Sequence, residues 1–229
     1  MTNDGFSRLL RHVLLLQPGA VFWAAPPCCS WIWLARAKTH RTAKRWWGNR
    51  KYDKVVYANR LVSRLCIVLL LLALRGVMWI VETPGNSLLF RHSWLRLMFQ
   101  FVGNLLKVSY CELGAHGAST IKPIVLVGTA PYIEHINRRV TGELRRQFAQ
   151  NTEDVVVKHG PDGKKVTGSA GLKSTQAYPV GFGLDVGRLH AASTPLNGGG
   201  LSSEELLRVL TGLHDVHSQV PVCLRVLFA

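Results

Sequence analysis

The sequence predicts an α/β fold: a partial Rossmann-like parallel sheet with flanking helices, a small hairpin and a helical carboxyl-terminal appendage. Two short apolar runs, residues 20–25 and 77–82, each end at proline and predict strands buried on both faces. A long apolar helical pattern over about residues 54–75 separates them, and strand–helix–strand is the order of a parallel α/β unit. With 229 residues, 48% of them apolar, the chain can bury a substantial core.

Further elements follow from periodicity and turn residues. Helical spacing predicts helices over residues 6–16, 88–104 and 181–192, and apolar runs predict strands over 106–113 and 124–127. Residues 131–150 form a basic amphipathic stretch, a Gly-Pro-Asp-Gly turn at 160–163 predicts a hairpin, and a capping box at 202–205 predicts a last helix. The expected units are an incomplete α/β core (1–150), a hairpin and return segment (151–195), and a helix and tail (196–229).

The charge of the chain favours an anionic partner. There are 28 Lys and Arg against 13 Asp and Glu, a net charge of +15. Residues 36–64 hold ten of these basic residues with one acid, Asp53, and Trp46 and Trp47 lie among them. Such a loop could grip phosphates and stack a base of DNA or RNA, although a solvated cationic loop fits the same pattern.

Cys28 is the candidate nucleophile. It follows the double proline that ends the first strand, and ligands of open α/β sheets bind at the carboxyl ends of the strands. The alternative is that Cys28 packs as a buried apolar residue, as we expect for Cys66 and Cys223. Five cysteines without a spaced framework argue against a secreted disulfide scaffold, so we expect a nuclear or cytoplasmic protein.

Glu82 ends the second predicted strand in the same way. Because one helix separates the two strands, they should be neighbours with both carboxyl ends on one edge, which would bring Cys28 and Glu82 into a shared cleft. A thiol and an acid so placed could attack and protonate an electron-poor ring. Alternatively, Glu82 could cap the following helical turn.

These motifs resemble those of C5-cytosine DNA methyltransferases, and more closely the divergent methyltransferase-like proteins of dinoflagellates and other algae. The resemblance rests on the segments Ala-Pro-Pro-Cys-Cys-Ser-Trp (25–31), Gly-Asn (48–49), Trp-Ile-Val-Glu-Thr-Pro-Gly-Asn-Ser (79–87), Gly-Ala-Ser-Thr-Ile-Lys-Pro (117–123) and Leu-Lys-Ser-Thr-Gln-Ala-Tyr-Pro (172–179). It covers roughly residues 6–189 and identifies residues 1–150 as a methyltransferase-like core.

The resemblance implies that Cys28 attacks C6 of a flipped-out cytosine, that Glu82 holds or protonates N3, and that Lys122 lies near the site. It implies S-adenosylmethionine as methyl donor, but the glycine-rich donor-binding turn is absent before the first strand. The candidate nucleic-acid-binding residues are Pro27, Ser30, Trp31, Arg36, Arg45, Trp46, Trp47, Asn49 and Arg50.

Three functional hypotheses follow from the sequence. The first is a truncated or decayed methyltransferase-like protein that is active only if an amino-terminal donor-binding half is supplied. The second is a non-catalytic, basic nucleic-acid binder. The third is a small membrane protein anchored near residues 61–81, which we disfavour because Arg64 and Arg75 leave an apolar stretch of about half the ~20 residues that a span needs. No metal site is predicted.

Overall fold

The computed structural model describes residues 2–151, 155–160, 163–168 and 177–193. The helices are α1 (Asn3–Leu15), α2 (Arg36–Thr39), α3 (Asp53–Leu74), α4 (Ser93–Val102), α5 (Gly142–Asn151) and α6 (Val180–Ala192). The strands are β1 (Val21–Ala24), β2 (Met78–Pro84), β3 (Lys107–Glu112), β4 (Pro123–Gly128), β5 (Val155–Gly160) and β6 (Gly163–Gly168). Short 3₁₀ helices lie at Trp33–Ala35, Leu89–Arg91, Gly103–Leu105, Leu113–His116 and Pro131–His135.

The central sheet has four strands in the order β1-β2-β4-β3, so the protein is α/β. β1 pairs in parallel with β2, whereas β4 is antiparallel to both β2 and β3. It follows that β1, β2 and β3 run in one direction, as the strand–helix–strand pattern predicts. The expectation of an all-parallel sheet is wrong for β4. Only residues 113–122 join β3 to β4, and a parallel crossover needs a dozen or more residues.

The two faces of the sheet are covered by different elements. Trp79 and Val81 of β2 pack against α3, α1 and α4, and we call this side the α3 face. Ile80 points the other way, into a cluster that includes Ile133 and Phe182 of α6, and we call this side the α6 face. Because successive side chains of a strand alternate between faces, Glu82 shares the α6 face with Ile80, and Thr83 shares the α3 face with Val81.

Most predicted elements are present with shifted ends. α3 lies within two residues of its predicted bounds, and β5 and β6 form the predicted antiparallel hairpin. The helix expected over residues 88–104 is divided: Ser87 Oγ accepts a 3.1 Å hydrogen bond from Leu89 N at the start of a 3₁₀ turn, and α4 begins only at Ser93. Residues 196–229, with the predicted capping box, lie outside the described residues.

α3 is the one helix among the described residues that is long and apolar enough to cross a membrane. Within the fold its buried residues, among them Val62, Leu69 and Leu72, form the centre of the cluster on the α3 face. Burial in a soluble core and insertion into a bilayer both select such a sequence, so length and composition do not decide between them.

Candidate functional site

The carboxyl ends of β1 and β2 lie side by side, as the sequence predicts. Ala24 is in register with Val81, so the chain leaves both strands at the same edge, one toward Cys28 and the other through Glu82. After the double proline the chain turns tightly, and the carbonyl oxygen of Cys28 accepts hydrogen bonds from Trp31 N (2.8 Å) and Ile32 N (3.2 Å). This turn fixes the backbone of Cys28, whose side chain is partly exposed.

Glu82 is a buried carboxyl with a hydroxyl partner. Glu82 is 7% exposed, and the Tyr178 hydroxyl donates a 2.7 Å hydrogen bond to Glu82 Oε2. Tyr178 lies two residues before α6 and is held by aromatic neighbours. Its ring stacks on Phe182 with centroids 5.5 Å apart and meets Trp23 of β1 edge to face at 6.0 Å. The aromatic cluster thereby fixes the partner of the carboxyl.

Lys122 is the third charged or polar group near this edge. Its Nζ lies 5.7 Å from the centre of the Tyr178 ring, and its positive charge acts on both Glu82 and Cys28. The backbone of Lys122 has φ of 33°, a left-handed conformation unusual for a non-glycine residue and more so before a proline. Strain of this kind is retained where the surrounding structure holds the backbone in place.

Burial disfavours the charged forms of the two central groups. Burial raises the pKa of Glu82, and the Tyr178 hydrogen bond and the Lys122 charge offset this only in part. Burial also raises the pKa of Cys28, and the charges of Glu82 and Cys29 raise it further while Lys122 lowers it. The pKa values of both groups are therefore raised, and a second negative charge at this edge is costly.

A further thiol lies close to Glu82 on the same face. Cys111 of β3 is 1% exposed, and burial followed by the charge of Glu82 raises its pKa to about 12. Cys111 is thus an inert core residue. Among the described residues, no three His, Cys, Asp or Glu side chains gather in a way that could hold a metal ion.

The predicted nucleic-acid-binding residues divide by exposure. Pro27, Arg36, Arg45 and Arg50 are exposed, Trp46, Trp47 and Asn49 are half-buried, and Ser30 and Trp31 are buried. Ser30 and Trp31 thus have no surface available to a polynucleotide in this conformation. The exposed arginines and the tryptophan pair remain available for contact.

Arg41 explains why Ser30 and Trp31 are buried. Residues 36–52 are mostly exposed, as expected for a basic loop, but Arg41 is an exception. Arg41 is 1% exposed, and its guanidinium lies 3.5 Å from the centre of the Trp31 ring. It donates to Asn59 Oδ1 at 2.9 Å, to Ser30 Oγ at 3.3 Å, and to the carbonyl oxygen of Trp46. The loop is therefore folded around one buried cation that ties the Cys28 turn to α3.

Sequence reasoning did not identify Tyr178 as a site residue. The available signal was the Tyr-Pro pair at the end of a segment that resembles the divergent family, just before a predicted helix. Because 96 residues separate it from Glu82, no local pattern indicates the contact.

In comparisons with known proteins, no family model, curated protein or solved structure matches the chain.

Proposed function

We propose that the Cys28–Glu82 edge binds a cytosine base of nucleic acid and adds the Cys28 thiolate to C6 of its ring. This is the first half of the reaction of the methyltransferases that the sequence resembles. The observation that carries the proposal is the pairing of a thiol and a buried carboxyl of raised pKa at the ends of adjacent parallel strands. The coarse α/β fold, with its β1–α3–β2 crossover, supports the finer interpretation of a partial Rossmann-like core.

The chemistry assigns one role to each group. Cys28 loses its proton to solvent, and its sulfur forms a bond to C6 while the electron pair of the C5–C6 double bond shifts to C4–C5 and that of the C4–N3 double bond moves onto N3. Protonated Glu82 donates its proton to N3, which makes the ring more electrophilic. Tyr178 holds Glu82 in place, and the Lys122 ammonium offsets negative charge at the thiolate. Addition is reversible, because expulsion of the thiolate restores the double bond.

S-Adenosylmethionine does not fit the described residues. Residues before β1 form α1 and a turn at 16–20, and no glycine-rich turn follows a strand there. We therefore derive no step through a methyl donor. β1 pairs only with β2 among the described strands, so no described strand occupies its outer edge. We infer that methyl transfer, if it occurs, requires a donor-binding half that adds beside β1.

Exchange of the hydrogen at cytosine C5 tests the addition step without any methyl donor. While sulfur is bonded to C6, C5 takes a proton from water, and reversal releases the original hydrogen. Oligonucleotides of DNA and of RNA carrying [5-³H]cytosine should release tritium to water with the wild-type chain. Cys28→Ser should abolish release, and the exposed neighbour Cys29→Ser should retain it. No release from either nucleic acid by the wild-type chain would remove the addition chemistry.

A non-catalytic nucleic-acid binder is the second candidate, favoured by the exposed Arg36, Arg45 and Arg50 and the net charge of +15. It predicts binding that falls steeply with salt and is unchanged by Cys28→Ser.

Membrane anchoring through α3 is the third candidate, supported only by the length and composition of that helix. Alkaline carbonate extraction of membranes separates it from the others, since an anchored chain stays with the pellet.

A further inference from the structure

A second concave site lies on the opposite face of β2 from Glu82. It is a groove of about 460 Å³ between the ends of the central strands and α4, within the size range of small-molecule sites. We call it the Arg91–Arg96 groove. Its lining includes Thr83, Arg91, Arg96, Tyr110 and Val125.

The charged residues that line the groove are all positive. Arg91 and Arg96 are both exposed, and neither forms a side-chain hydrogen bond or ion pair with another described residue. The lining contains no Asp or Glu. A third guanidinium, that of Arg139, lies 5.7 Å from the centre of the Tyr110 ring at the margin of the groove. Guanidinium groups bind phosphate with planar, paired hydrogen bonds, so this concentration of positive charge favours a phosphate ester.

The floor of the groove is built by the sheet register. Thr83 of β2 pairs with Val125 of β4, which pairs in turn with Tyr110 of β3, so the three side chains share one face. Tyr110 is 49% exposed, which is high for an aromatic residue in a central sheet. An exposed ring beside guanidinium groups is the arrangement that stacks nucleic-acid bases.

A polar atom on the floor lacks a partner. Thr83 is 1% exposed, and its Oγ1 forms no hydrogen bond with another described residue. A buried hydroxyl without a partner is costly, so a ligand that supplied the missing bond would be favoured. Thr83 lines the groove on the same floor as the Tyr110 ring, so a base stacked on that ring would lie beside it.

We propose that the Arg91–Arg96 groove is a binding site for a nucleoside phosphate, either free or as one nucleotide of a single strand. Arg91 and Arg96 bind the phosphate, the Tyr110 ring stacks the base, and Thr83 Oγ1 bonds the edge of the base. The site lies on the opposite face of β2 from the Glu82 carboxyl, and its occupancy does not depend on chemistry at Cys28.

Isothermal titration calorimetry of the full chain tests the proposal with four probes: adenosine 5′-monophosphate, adenosine, ribose 5-phosphate and a short single-stranded oligonucleotide without cytosine. The monophosphate should bind more tightly than either of its fragments, because only it occupies both halves of the groove. Binding of the monophosphate, of the oligonucleotide, or of both identifies the natural source of the nucleotide. Ribose 5-phosphate binding as tightly as the monophosphate would overturn the base-stacking assignment.

Variants locate the binding. Arg96→Ala should weaken binding of the monophosphate about tenfold, from loss of charge-assisted bonds. Tyr110→Ala should weaken it about fivefold or more, from loss of stacking. Thr83→Val keeps the shape of the side chain, and it should weaken binding without lowering the melting temperature of the free protein. Weaker binding by Thr83→Val together with an unchanged melting temperature identifies a ligand-binding hydroxyl rather than a structural one.

Two matched controls complete the design. Arg11→Ala removes one exposed positive charge from α1 and should leave binding unchanged, as should Cys28→Ser. The proposal is overturned if the wild-type chain does not bind the monophosphate, or if Arg96→Ala and Tyr110→Ala bind it as the wild type does. Loss of binding in Cys28→Ser alone would place the ligand at the other site and would equally overturn it.

Discussion

Tyr178 and Glu82 are 96 residues apart in the chain and are joined by a 2.7 Å hydrogen bond from the Tyr178 hydroxyl to Glu82 Oε2. The bond connects the segment before α6 to the carboxyl end of β2. Since Glu82 is almost fully buried, the hydroxyl is one of few groups that can stabilise its charged form. The protonation of the proposed acid therefore depends on how α6 is docked.

Tyr178→Phe should raise the pKa of Glu82 further, because it removes a hydrogen bond that favours the carboxylate. We expect a loss of about 1 kcal/mol in the free energy of unfolding at neutral pH, measured by urea denaturation. The ring contacts with Trp23 and Phe182 are kept, so the fold should persist. A variant as stable as the wild type at pH 8 would contradict the contact.

The two buried glutamates should respond to pH in opposite directions. The raised pKa of Glu82 means that the folded state binds its proton more tightly than the unfolded state. Its contribution to stability is therefore full below the unfolded pKa and is lost as pH rises through the folded pKa. Glu82→Gln should stabilise the protein by about 1 kcal/mol at pH 8, and this gain should vanish near pH 4.

Glu112 provides the comparison. Burial alone would raise its pKa, but Arg145, with contacts of 2.7 and 2.8 Å, and the backbone N of Val140 at 2.8 Å outweigh burial and lower it. Its contribution is present above the unfolded pKa and is lost as pH falls through the folded pKa. Glu112→Gln should therefore destabilise by about 1–2 kcal/mol at neutral pH and have little effect in acid. Parallel thermal melts of both variants from pH 4 to 8 measure the contrast. A stability change of the same sign in both variants at neutral pH would refute it.

Alkylation of Cys28 should report the local charges. The raised pKa of Cys28 predicts slow reaction with iodoacetamide at pH 7, since the thiolate is the reactive form. In a Cys29→Ser background, Glu82→Gln should accelerate the reaction and Lys122→Met should slow it. Mass spectrometry of the alkylated peptide identifies the modified residue. Identical rates in the three proteins would show that Glu82 and Lys122 do not act on the thiol.

The sequence indicated the Cys28–Glu82 edge because its determinants are local. Proline stops each strand, and one helix between them dictates a parallel pair, as in β1 and β2. The position of β4 between β2 and β3 is a long-range outcome, and only the short 113–122 connection hinted at its direction. Arg41 was counted as one more surface charge, because nothing in a run of basic residues shows which member is buried.

Arg41 should be far more important for stability than its neighbours. It has hydrogen bonds to Ser30 and Asn59 and a stacked position over Trp31, and no ion pair to it occurs in the described part of the chain. Arg41→Met leaves those acceptors without a donor and should cost about 3 kcal/mol of unfolding free energy in urea. Arg60→Met, which removes an exposed arginine from α3, should change it by less than about 0.5 kcal/mol. Similar losses in both variants would mean that the Arg41 contacts contribute little.

The exposed arginines of the basic loop should determine how nucleic-acid binding depends on salt. Each phosphate contact releases counterions, so the slope of log affinity against log salt counts the contacts. Replacing Arg36, Arg45 and Arg50 together by Ala should reduce the slope by roughly 2–3 for duplex DNA while leaving stability unchanged. Fluorescence anisotropy between low and moderate salt measures it. Because these side chains lie outside the Cys28–Glu82 edge, Cys28→Ser should keep the wild-type slope. A wild-type slope in the triple arginine variant would place the nucleic-acid contacts elsewhere.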